Sequence, residues 1–218
     1  MTKKLTIGIT INNILRDHIT KLSEAYLLLT GEYPLYPINP FVLEDSFITR
    51  KTTKIENEFN PDVTDTDLSE NPPEEEEFEV YDFMYNEAAF EVFGRADEAV
   101  SGIIFKLSQY AKDNNIDIVL MNKEAPKSKC GTLLFLSRNN FNSTKLIFPD
   151  TYEEFWNYCD ILVTDNPHIL DCKPKRFLWG KKKSIKVSND FNLDSKSDYT
   201  IFDISELFSI IEFNKIIK

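Results

Sequence analysis

Leu5-Thr-Ile-Gly-Ile-Thr-Ile-Asn-Asn-Ile-Leu15 is the stretch from which the rest of this chain is read. Apolar and polar or small residues alternate from Leu5 to Ile11, and β-branched types dominate, which predicts a strand. Asn12 or Asn13 can cap a following helix. Ile14, Leu15, Ile19, Leu22, Ala25, Tyr26 and Leu29 then recur at helical spacing until Gly31 stops the run. A strand that passes through a short polar turn into a helix is half of a β-α-β unit.

The same rhythm resumes at Asp97. Helical spacing from Ala99 to Ala111 leads through Asp113-Asn114-Asn115 into a strand, Ile116 to Met121. Gly131 to Ser137 reads as a helix or a short strand, and Leu146-Ile-Phe148 as a short strand. Thr151 is placed to cap a helix containing Phe155 and Trp156. Asp160 to Val163 and Ser184 to Val187 have the apolar content of buried strands, and Ser205 to Ile217 is an amphipathic helix. Strands alternating with helices predict an α/β fold, a Rossmann-like parallel sheet covered on both faces. Residues 1–30 and 96–218 form this core. Residues 31–95 interrupt it with Pro34, Pro37, Pro40, Pro72-Pro73, an acidic stretch and the aromatic run Phe78 to Phe93.

With 218 residues, 42% hydrophobic content and 17 Phe, the chain can bury a sizeable core. Neither a membrane-spanning run nor a leader peptide is expected. Cys130, Cys159 and Cys172 are far apart and lack metal-ligand spacing, as do His18 and His168, so reduced thiols in a cytosolic-type environment are expected. The net charge is −11, and eleven acids with no base lie between Ile55 and Glu79. The remainder is close to neutral, which argues against a broad nucleic-acid-binding face. One basic cluster runs from Lys173 to Lys186.

Four places resemble the haloacid dehalogenase-like (HAD-like) phosphohydrolases, in particular their small 5′-deoxyribonucleotidase-type branch. In that family the first strand ends in Asp-x-Asp, where the first Asp is the nucleophile and the second the general acid/base. Thr10 and Asn12 hold those places here. The family's next strand ends in a phosphate-binding Ser or Thr. Ile118-Val-Leu-Met-Asn122 ends in Asn122, and Ser128 and Thr132 follow downstream. Asp160-Ile-Leu-Val-Thr-Asp165-Asn-Pro resembles the nucleotidase acidic strand end, with Thr164 beside the retained Asp165. Ser184-Ile-Lys-Val-Ser-Asn-Asp-Phe-Asn192 is similar to the final strand and its Asn-ended loop. Lys123, Lys127 and Lys145 are the candidates for the phosphate-binding lysine, and residues 31–95 occupy the position of the family's first cap.

This resemblance implies a fold that has outlived its chemistry. An amide neither attacks phosphorus nor carries a proton at neutral pH. Mg²⁺ prefers carboxylate oxygens, of which Asp165 is the clear survivor, with Asp17 and Asp190 as remote candidates. Asp165 also has a structural reading, as a cap for the helix near Pro167, and Asn192 reads as a turn residue. The expected function is a non-catalytic structural or interaction subunit, plausibly of a phage virion such as a tail or collar ring. No cofactor is then needed. Glu74, Glu75, Glu76 and Glu77 of one copy could meet Lys181, Lys182 and Lys183 of the next, which gives homo-oligomers or a multi-protein assembly. Alternatives are a divergent Mg²⁺-dependent 5′-nucleotidase or phosphatase, and a regulatory module that binds a nucleotide phosphate without hydrolysing it.

Overall fold

The computed structural model describes residues 4–34, 38–41, 47–52, 74–79, 82–141, 145–174 and 182–213. In chain order, β1 (Thr6–Thr10) is followed by α1 (His18–Thr30) and an antiparallel hairpin of β2 (Phe47–Thr52) and β3 (Glu74–Glu79). Two π-helical turns, Phe83–Glu87 and Phe90–Gly94, lead into α2 (Ile103–Asp113) and β4 (Asp117–Met121). Then come α3 (Pro126–Arg138), β5 (Lys145–Ile147), a 3₁₀ turn at Glu154–Tyr158, β6 (Ile161–Thr164) and α4 (Pro167–Asp171). The chain continues through β7 (Lys183–Val187) and β8 (Tyr199–Ile201) to α5 (Leu207–Phe213).

Six of the strands form one sheet in the order β5-β4-β1-β6-β7-β8, every neighbour parallel. β1 is central, pairing Ile7 with Ile118 on one side and with Ile161 on the other. Side chains of a strand alternate between faces, and both faces are buried here. Ile7, Ile9, Ile118, Leu120, Ile161 and Val163 pack against α2, α3 and α5 through Ile103, Leu107, Phe135 and Leu207. Val119, Met121 and Leu162 point the other way, onto Phe155, Trp156, Cys159 and Ile169. Gly8 lies on that second face. A Cβ there would come within 2.3 Å of Met121 Cε and 2.9 Å of Cys159 Sγ, so the absent side chain is what lets this layer close on β1. Among the described residues no helix is long and apolar enough to cross a membrane.

The first helix departs from its expected start. Asn13 takes a left-handed φ of 59°, and Leu15 N and Arg16 N both donate to Ile11 O, so residues 11–16 curl into a turn. α1 begins only at His18, where the Asp17 carboxylate accepts from Thr20 N at 3.1 Å. Asn12 and Asn13 are therefore not its cap. Gly31 ends it as expected, with φ 81° and its N–H bonded to Leu27 O. Ile14 and Leu15 pack into the sheet core, whereas Leu22 and Ala25 join a separate apolar cluster with Phe83, Met84, Val92 and Phe93. α1, which the sequence reading gives to the core, thus shares its buried face with the segment 82–95. The outgoing and returning chains touch where this excursion starts: Arg16 bridges Glu98 antiparallel, Asp17 N donates to Asp97 O at 3.0 Å, and Ala99 N to Leu15 O at 3.0 Å.

Smaller differences follow from local chemistry. α3 starts at Pro126, whose missing N–H costs nothing in a first turn, so it is a full helix rather than a short piece around Gly131. The turn at Glu154–Tyr158 has no side-chain cap, so Thr151 does not serve there. The hairpin, the π turns and β8 carry no clear periodicity. Lys181 and the acidic residues from Ile55 to Glu70 lie outside the described residues, as does the Pro72-Pro73 pair.

Candidate ligand-binding cleft

The order of the sheet reverses around β1, with β4 to one side and β6 to the other. In open α/β sheets such a switch point leaves a crevice beyond the carboxyl ends of the strands. A cavity of about 440 Å³ lies there, lined by Thr10, Asn12, Asn13, Asn122 and Asp165 among others. Its walls are largely aromatic, from Phe41, Tyr85, Tyr152 and Phe155, with Ile169 beside them. A second space of about 350 Å³ shares Asn13, Pro40 and Asp165 with it.

Four of the five positions singled out from the sequence therefore line one cavity. The fifth, Thr164, is fully buried beside it, and its Oγ1 accepts from Thr10 Oγ1 at 3.2 Å and from Asn166 N at 3.2 Å. Asp165 is 3% exposed. Its carboxyl accepts from Asn189 Nδ2 at 3.2 Å. Burial raises its pKa to about 7, against a hydrogen bond from the Asn13 side chain that favours the ionised form. Asp165 is not the cap of α4. Asn166 fills that role, accepting from His168 N and Ile169 N. Asn192 holds the loop after β7, donating to Asp165 O at 2.7 Å and Val187 O at 2.8 Å.

Asn12 and Asn122 rest on a buried ion pair. Arg16 Nη2 meets Glu124 Oε1 at 2.6 Å, with neither side chain exposed. Arg16 also donates through Nε to Asn12 Oδ1 at 3.0 Å, through Nη2 to the same oxygen, and through Nη1 to Phe93 O at 2.9 Å. Glu124 in turn accepts from Asn122 Nδ2 at 2.5 Å and from the Thr132 hydroxyl at 2.5 Å. The guanidinium lies 4.8 Å from the Phe93 ring centroid. His18 stacks on that same ring, 98% buried, with no partner for Nδ1 among the described residues. Burial, and next the charge on Arg16, hold its pKa down at about 3.

Of the three candidate lysines, Lys123 lines the cleft, its Nζ 4.6 Å from the Tyr152 ring centroid, and His168 stacks on Tyr152 as well. Lys127 sits in the first turn of α3, and Lys145 begins β5 over the Tyr158 ring. Ser128 and Thr132 are spent on Ala125 O and Glu124. Asp17 caps α1, and Asp190 stands exposed in a turn. The interaction residues are elsewhere. The ladder sets Glu76 opposite Arg50 and Glu75 opposite Lys51 within one hairpin, which also contains Glu74 and Glu77. Lys182 donates to Trp156 O, and Lys183 lies over the Tyr199 ring. Sequence reasoning passed over Arg16, Glu124 and Asn189, took Asn13 only as a possible helix cap, and noted His18 only for its lack of ligand spacing. The buried ion pair joins residues 108 apart, with no local signal.

The resemblance implies Mg²⁺, and the residues present do not fit it. Among the described residues no group of three His, Cys, Asp or Glu side chains converges to hold a metal ion. Among the described residues three carboxyls line the cavity: Glu124 is committed to Arg16, Asp150 is exposed, and Asp165 alone stands at a strand end, which is too few for a Mg²⁺ set.

No protein-family model matches the chain, and no curated protein sequence does. Solved structures do. A Thermotoga maritima protein assigned as a β-phosphoglucomutase superposes with a TM-score of 0.57 at 12% identity, covering 96% of this chain and 99% of its own. A Bacillus subtilis protein assigned as a HAD-hydrolase, YfnB, bound to magnesium, gives 0.54 at 10% identity, covering 97% of this chain and 100% of its own. The fold is HAD-like. The six-stranded parallel sheet and its flanking helices match the Rossmann-like core of those neighbours. At these identities the likeness extends to the fold, and it does not single out the deoxyribonucleotidase branch. In the HAD-like core the position of the catalytic nucleophile is the end of β1, occupied here by Thr10.

Proposed function

We propose that this chain is a non-hydrolysing HAD-like protein that binds a nucleotide in the cleft beyond β1, β4 and β6. One observation carries the reading: a cavity of about 440 Å³ lies at the strand ends, and of the carboxyls lining it among the described residues Glu124 is held by Arg16, Asp150 is exposed and Asp165 alone occupies one of the five strand-end positions. A cleft with aromatic walls and a few convergent polar groups is the form a small-molecule site takes. Lys123, whose Nζ lies over the Tyr152 ring, can meet a phosphate, and the aromatic lining offers apolar surface to a base. Hydrolysis would need a nucleophile and a metal-binding acid set, and Thr10 is tied to Thr164 instead. The assembly reading, a phage tail or collar subunit among others, rests on composition and charge alone.

The test is release of phosphate from deoxynucleoside monophosphates with Mg²⁺, run beside calorimetric titration of the same ligands. Binding without turnover is the expected result. Turnover that disappears in Asp165→Ala would overturn it in favour of a divergent phosphatase.

A further inference from the structure

Asn12 and Asn122 are turned in opposite senses by the Arg16–Glu124 pair. A guanidinium carries only donors and an ionised carboxylate only acceptors. Asn12 therefore has to offer Oδ1 to Arg16, and Asn122 has to offer Nδ2 to Glu124, as the bonds show. Neither amide can flip without setting like poles together. What remains is fixed as well. The Asn12 NH₂ and the Asn122 carbonyl oxygen have no protein partner among the described residues, neither is an orphan sealed from solvent, and both residues line the cavity.

We propose that the floor of the cleft reads a planar ligand edge carrying an acceptor beside a donor, the pattern of a nucleobase or carboxamide. The Asn12 NH₂ donates to the ligand's acceptor, and the Asn122 oxygen accepts from its donor. Such complementary amide contacts are how side chains read base edges. A fully ionised phosphoryl group offers acceptors only and would face the Asn122 carbonyl unfavourably. The base then points inward, between the walls that Tyr85 and Phe155 supply, and the phosphate points out toward Lys123. Arg16 and Glu124 are positioning residues, since they act through the two asparagines. This assignment rests on the nucleotide-binding reading above and specifies which end of the ligand enters first.

Calorimetric titration of the full chain with nucleoside monophosphates, the matching nucleosides and ribose 5-phosphate tests it, repeated on Asn12→Asp and Asn122→Leu. Asn12→Asp keeps the bonds to Arg16 and removes the NH₂. At least one monophosphate and its nucleoside should bind with similar affinity, ribose 5-phosphate should not, and each variant should weaken binding by roughly tenfold to a hundredfold. Thermal melts establish that each variant is folded. If Asn12→Asp fails to fold, Asn122→Leu decides alone. Ribose 5-phosphate binding as well as the nucleotides, or unchanged affinity in a folded variant, would overturn the base-edge assignment and leave nucleotide binding standing. No binding by any of these probes would overturn both.

Discussion

Thr10 Oγ1 and Thr164 Oγ1 lie 3.2 Å apart at the ends of adjacent strands, so two hydroxyls satisfy one another where the resemblance expects acids. Carboxylates at such positions would repel one another unless a cation lay between them. The hydroxyl pair removes that conflict.

Thr10→Asp breaks this pairing and adds a charge to the cavity that Asp165 also lines. Urea unfolding should show a loss of roughly 1–3 kcal/mol, from the lost bond and the buried charge. Thr10→Asp with Asn12→Asp should still release no phosphate. Arg16 would hold the new carboxylate at position 12 as an ion pair, and an acid so held is a poor proton donor at neutral pH.

Removing Arg16 alone should be far more costly than removing the pair. Arg16→Met leaves Glu124 buried without its counter-charge, and a loss of about 3–5 kcal/mol is expected. Adding Glu124→Leu should recover a large part of it. A double-mutant cycle by chemical denaturation reads this directly, and equal losses in single and double variants would contradict the coupling.

Stability should depend on pH through two groups that oppose each other. Asp165 keeps its proton in the fold up to about pH 7, while the unfolded carboxyl loses it near 4. Its contribution is full below about pH 4 and is lost as pH rises toward 7. His18 stays neutral in the fold down to about pH 3, while the unfolded imidazole protonates near 6.5. Its contribution is full above about pH 6.5 and is lost as pH falls toward 3. Each slope approaches about 1.4 kcal/mol per pH unit, and between about 4 and 6.5 they cancel. Wild type should therefore be nearly flat in that window. Asp165→Asn should lose stability as pH falls through it, and His18→Phe as pH rises, both measured by thermal melts in a buffer series.

Gly131→Ala should lower stability by about 1–3 kcal/mol. A Cβ there would come within 2.9 Å of Phe93 Cβ, 3.0 Å of Ala89 O and 3.1 Å of Gly94 N. Backbone atoms cannot swing aside, so α3 would have to back away from the second π turn. Loss of contrast in near-ultraviolet dichroism alongside the lower melting point would report that separation.

The sheet was legible because its strands are buried on both faces, and runs such as Ile118-Val-Leu-Met121 announce that burial without help from the rest of the chain. The turn after β1 was misread as a helix start because Ile14 and Leu15 have helical spacing by coincidence. Asn13 with its positive φ sends them to the sheet core instead. Thr10, Asn12, Asn122 and Asp165 could be placed at strand ends because strand ends follow from where apolar runs stop. The hydrogen-bond senses of Asn12 and Asn122 could not, because Arg16 and Glu124 fix them across 108 residues. π-helical turns have no sequence period of their own, and β8 is too short to show one.

Evolution and the protein engineer meet the same opportunity at residues 16–17 and 97–98. The chain departs there and comes back to the same spot, its two limbs joined by backbone hydrogen bonds of 3.0 Å. All the strands of the six-stranded sheet lie outside these limbs, so the length and sequence between them can change without touching the strand pairings, provided Phe93 and Gly94 still seat against Arg16 and α3. A lineage with such a seam can trade what sits over its cleft while inheriting the sheet unchanged.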